Sequence, residues 1–109
     1  MLSANQWQRY IYIGRLFENA AYLQLLYEGW SVRVGKLYGK EVDFVATKDG
    51  RVLYVQATDE MLASETRERE IAPLKSIRDN HEKVVVVRQS SYDADIDGIR
   101  TVSARDFFL

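Results

Sequence analysis

Lys40-Glu41-Val42-Asp43-Phe44-Val45-Ala46-Thr47-Lys48 runs into Asp49-Gly50, and Arg51-Val52-Leu53-Tyr54-Val55-Gln56-Ala57-Thr58 follows. Two β-rich runs separated by Asp-Gly predict a tight hairpin, because a type I′ turn needs positive φ at both central residues. A two-residue loop also sets the register. Lys48 is expected opposite Arg51, Val45 opposite Tyr54, Asp43 opposite Gln56 and Glu41 opposite Thr58. Side chains alternate along a strand. These pairs are read as one face, with Val42, Phe44, Ala46, Leu53, Val55 and Ala57 on the other. One face is apolar; the other collects carboxylates, an amide and a hydroxyl, and any chemistry belongs there.

Upstream, Arg15–Glu28 reads as a helix, with Leu16, Ala20, Leu23 and Tyr27 at helical spacing and Phe17, Leu25 and Leu26 widening the stripe. Gly29 stands where a helix stops. Residues 1–13 read as a linker or a short leading helix, and 14–109 as the domain. Ser31–Tyr38 is expected as a first strand. Downstream, Asp59–Asp79 is a charged helical region with Ser64 or Thr66 as N-cap, and Pro73 predicts a kink or restart. Lys83-Val84-Val85-Val86-Val87-Arg88 is a β-branched run suited to a central strand covered on both faces. Gln89–Asp97 reads as a polar loop and Gly98–Val102 as a last strand. Ser103 with Asp106 opens a terminal turn. The fold class is α/β: a mixed sheet in the order αβββαβ(β), with helices on both faces.

With 109 residues, 47% hydrophobic and 28% charged, the chain has the profile of one ordinary globular domain. It contains no cysteine and one histidine, His81, which excludes disulfides, thiolate nucleophiles and a multi-histidine metal site within the chain. No apolar run reaches bilayer length and no signal-peptide pattern opens the chain, so no membrane role is expected and the default location is the cytoplasm. The net charge of −1 argues against a strongly basic nucleic-acid binder. Its distribution is uneven: seven Lys/Arg stand against five Asp/Glu through Thr58, and eight against eleven after it. Arg33, Lys36 and Lys40 form a locally basic stretch, the candidate nucleic-acid contacts.

The order of elements, with an acid on the first helix, Asp on one hairpin strand and Gln on the next, resembles the restriction-endonuclease-like PD-(D/E)XK superfamily. More closely, Gly14-Arg15-Leu16-Phe17-Glu18-Asn19, Gly35-Lys36, Glu41-Val42-Asp43-Phe44-Val45, Tyr54-Val55-Gln56-Ala57, Glu65-Thr66 with Arg69-Glu70, and Asp79-Asn80 before Lys83 are similar to the uncharacterised C-terminal domain of certain prokaryotic AAA-type ATPases. The resemblance implies that Glu18, Asp43 and Gln56 bind Mg²⁺ and, with position 58, form the catalytic set. Thr58 stands where the superfamily carries a lysine that contacts the water or the scissile phosphate. A hard cation wants oxygen ligands and neutralises charge on a phosphodiester. Without the lysine, the transition state loses one source of charge stabilisation.

Plainer readings stand beside these. Glu18 pairs with Arg15 or the helix dipole; Asp43 and Gln56 form a polar cross-strand pair; Glu65, Arg67, Glu68, Arg69 and Glu70 form a solvated helix face; His81 ends a helix. Tyr22, Tyr27, Trp30, Phe44 and Tyr54 are expected in the core. Gly39-Lys40-Glu41 fails the phosphate-loop pattern, so ATPase activity is not encoded here. The expected function is a nuclease-like accessory domain of an AAA-type ATPase, binding DNA, another nucleic acid or a protein partner with weak or degenerate catalysis. The alternatives are an active Mg-dependent nuclease and a protein-interaction or homo-oligomerisation module built on Leu37, Tyr38, Phe107 and Phe108.

Overall fold

The Asp49-Gly50 reversal carries φ of 50° and 79°, as a type I′ turn requires. It joins β2 (Lys40–Lys48) to β3 (Arg51–Thr58), paired antiparallel from Lys48↔Arg51 to Phe44↔Val55. A computed structural model describes residues 3–37, 40–58, 64–88 and 94–108. Around the hairpin stand α1 (Ala4–Tyr27), β1 (Ser31–Leu37), α2 (Ser64–Lys75), β4 (Glu82–Val87), β5 (Ala94–Ile96), β6 (Ile99–Ser103) and α3 (Ala104–Phe108). The six strands form one sheet in the order β1-β2-β3-β4-β6-β5. β3, β4 and β6 run parallel; β1, β2 and β5 pair antiparallel with their neighbours. The α/β class and mixed sheet match expectation.

Helices cover both faces. Phe17, Ala21 and Leu25 of α1 pack with Trp30, Phe44, Leu53, Val84 and Val86, and Phe107 and Phe108 close the same side. On the opposite face Ile71, Leu74 and Ile77 pack on Val45, Tyr54, Val85 and Val87. The valine run of β4 therefore feeds two cores alternately, as a central strand should, each buried side chain contributing about 1.5–3 kcal/mol.

Several expectations are corrected. The leading residues are helical, the second of the two readings, but continuous with the helix expected to start at Arg15: α1 begins at Ala4, where Ser3 accepts from the Gln6 N–H at 3.2 Å and Gln6 Oε1 takes the Ser3 N–H at 2.7 Å. The stripe Leu16, Leu23 and Tyr27 faces outward, with Tyr27 87% exposed, while Phe17, Ala21 and Leu25 are buried. Ala21 admits the sheet closely, and a Schellman ending sets the rotation: Gly29 N–H meets Leu26 O and Trp30 N–H meets Leu25 O, both at 3.0 Å. Trp30 then drops into the Leu25 cluster. The polar loop before Asp97 contains β5, turned into β6 by a second Asp-Gly with φ of 53° and 82°. α2 ends at Lys75, soon after Pro73, so His81 lies beyond it and packs edge-on against Tyr54 at 6.0 Å. Phe107 and Phe108 pack inward, Phe108 against Phe17 at 6.2 Å. Tyr38 and the side chain of Leu37 lie outside the described residues. At α3, the Ser103 cap forms as expected, its Oγ accepting from Asp106 N–H at 3.2 Å.

Candidate functional site

β1 pairs Val34 with Phe44 and then Gly35 with Val42, skipping Asp43. Asp43 is a β-bulge, and Gly35 opposite it has φ of 121°, open only to glycine at low cost. The extra residue inverts the alternation. Phe44 and Ala46 join the α1 core, whereas Val42 joins the α2 core, correcting the apolar face expected for it. Lys48 and Arg51 lie on the turn side of the bulge, and regular alternation puts them on the face of Ala46 and Leu53, not that of Val45 and Tyr54 as expected: both cations lie over the Trp30 ring, at 5.6 and 5.3 Å.

The β2–β3 ladder stops at Phe44↔Val55, so the expected backbone pairs Asp43–Gln56 and Glu41–Thr58 do not form. Side chains bridge the opening instead. Gln56 Oε1 accepts from the Asp43 N–H at 2.7 Å, and Asp43 Oδ2 accepts from the Ala57 N–H at 2.8 Å. Gln56 is only 5% exposed, so the clamp operates where an unmet N–H would be costly.

Glu18 approaches this bulge from α1. Partial burial, then the negative charge of Asp43, push its carboxyl above the usual range; Arg15 pulls it back. Tyr22, on the same edge of α1, stacks on Phe44 with centroids 5.9 Å apart, which seats that edge over β2. Gln56 thus holds Asp43, and the Asp43 charge reaches Glu18; Gln56 itself alternates with Val55 and Ala57 of the α1 core and shares the side of Tyr54. Thr58 is half-buried at the end of β3, where its carbonyl accepts the Arg88 N–H at 2.9 Å. Arg33 is exposed on β1; the side chains of Lys36, Lys40 and Glu41 lie outside the described residues. Sequence reasoning did not find the bulge, although a glycine inside a strand pattern is a signal for one.

The donor set suits a hard divalent cation through two carboxylates. Glu18 and Asp43 repel each other, and a cation between them relieves that repulsion. Gln56 Oε1 is already an acceptor, which makes the amide first a clamp and only secondarily a ligand. Among the described residues no group of three His, Cys, Asp or Glu side chains is arranged to hold a metal.

A second polar cluster is structural. Tyr54 Oη donates to Asp79 Oδ2 at 2.6 Å, and Lys83 Nζ to Asp79 Oδ1 at 3.0 Å. It ties the chain leaving α2 to β3 and β4.

A protein of Haemophilus influenzae described as an uncharacterized protein is 39% identical to this chain over 98 residues. The alignment covers 90% of the chain and 24% of the relative, so the chain spans about a quarter of that protein's length. No family model matches, and no solved structure matches. Among the described residues no helix is long and apolar enough to cross a membrane.

Proposed function

We propose that this domain is a nuclease-like accessory module that binds nucleic acid, with weak or degenerate cleavage. The observation that carries the reading is the bulged Asp43, clamped by Gln56 and Ala57, whose charge acts on Glu18 of α1. An acid pair built at a strand opening suits a Mg²⁺ that neutralises phosphodiester charge. The chain's own residues would hold it: Glu18 and Asp43 as ligands, Gln56 fixing the Asp43 backbone. Thr58 offers no cationic group, which motivates weak chemistry. Attachment to an AAA-type ATPase, in a cytoplasmic setting, rests on the resemblance, and the greater length of the relative accommodates such a module.

The test measures Mg²⁺ or Mn²⁺ binding by calorimetry, duplex binding by anisotropy, and plasmid nicking. Cation and duplex binding should both fall in Asp43→Asn, with little nicking by either protein. Robust nicking lost in Asp43→Asn would establish the active nuclease instead. Failure of the wild type to bind nucleic acid would leave a protein-interaction module.

A further inference from the structure

We infer that Arg15 supplies the positive charge absent at Thr58, holding a non-bridging oxygen of a phosphodiester laid over Glu18 and Asp43. The assignment rests on the nucleic-acid reading above. In a helix with 100° between successive residues, positions i, i+3 and i+7 share one edge. Arg15, Glu18 and Tyr22 have this spacing within α1. Tyr22 packs on Phe44, the residue after Asp43, so the edge that carries Arg15 and Glu18 is the one lying over this segment of β2. Arg15 is exposed, and the three ion pairs closed among the described residues join other groups. Its charge acts on Glu18.

Other described arginines near the hairpin are placed less well: Arg51 stands at the turn end of the strands, over Trp30 and paired with Glu82 at 3.2 Å. Arg33 is paired with Val45, and directly paired side chains share a face. Val45 belongs to the α2 core, so Arg33 stands on the side of the sheet away from α1. Arg88 follows β4, which flanks β3 on the side opposite β2, the strand of Asp43. Arg15 alone among these shares an element and an edge with Glu18. A guanidinium there presents a planar fork matched to two phosphate oxygens, which a lysine reproduces only as charge.

The test is the salt dependence of binding to a short fluorescent DNA duplex, with Ca²⁺ present as the hard cation. Each phosphate contact contributes about 0.9 to the slope of log K against log salt. Arg15→Ala should lower the slope by about 0.9, Arg15→Lys should keep it, and Arg105→Ala, an exposed change on α3, should not move it. An unchanged slope in Arg15→Ala, or an equal fall in Arg105→Ala, overturns the assignment. A wild type that binds no duplex overturns the nucleic-acid reading itself, and the assignment with it.

Discussion

Gln56 reaches across the open end of the hairpin and takes the Asp43 N–H on its Oε1 at 2.7 Å, where a backbone carbonyl would serve in a regular ladder. The carboxylate it steadies in turn takes the Ala57 N–H at 2.8 Å. Two side chains therefore replace the ladder at the point where the strands part.

Gln56→Leu leaves the Asp43 N–H without its acceptor, and should destabilise the fold by about 1–3 kcal/mol in urea unfolding. Gln56→Glu keeps an acceptor oxygen but adds a carboxylate beside Asp43. We expect it to lower the melting temperature without metal and to tighten Mg²⁺ binding by calorimetry.

Asp43→Ala and Asp43→Asn should separate structure from chemistry. The alanine variant orphans the Ala57 N–H and should cost about 1–3 kcal/mol. The asparagine variant retains a carbonyl oxygen for that N–H and should stay closer to wild-type stability, while both lose divalent-cation affinity. Equal stability of the two variants would contradict the clamp.

Glu18→Gln removes a charge that burial and Asp43 disfavour. At neutral pH and without metal the variant should be slightly more stable than wild type. The gain should be under about 0.5 kcal/mol, because the side chain is exposed and solvent screens it. Saturating Mg²⁺ should reverse the order, the wild type alone gaining from the ligand.

Asp79 carries the acid dependence. Burial works to raise its carboxyl, but hydrogen bonds from Tyr54, Lys83 and the His81 N–H prevail and hold it below the ordinary value. A folded-state value under the unfolded one gives stability that is present above the unfolded pKa and lost as pH falls through the folded pKa. Asp79→Asn should cost about 1–2 kcal/mol at neutral pH. Its deficit should shrink on acidification through the low carboxylate range, followed by denaturant midpoints at successive pH values.

The turn at Asp49-Gly50, its register as far as Phe44 and the doubly covered valine strand were all legible, because positive-φ dipeptides and β-branched runs admit few alternatives. The face of α1 was not. Leu16, Leu23 and Tyr27 fit helical spacing as well as Phe17, Ala21 and Leu25 do, and only the Gly29–Trp30 ending and the small Ala21 select the second set. The bulge was hidden for a related reason: apolar residues at 42, 44 and 45 suit either phase. The second Asp-Gly was overlooked because polar residues precede it and β5 is only three residues long. Glu18, Asp43 and Gln56 were singled out by resemblance alone; the clamp between Asp43 and Gln56 depends on the inserted residue.

That insertion separates two evolutionary pressures. Val42 and Phe44 serve opposite cores, and position 43 between them serves neither, so its side chain is open to change without repacking either layer. A change of side chain at position 43 alters the chemistry of the sheet edge while the scaffold persists, so long as something still satisfies the Ala57 amide.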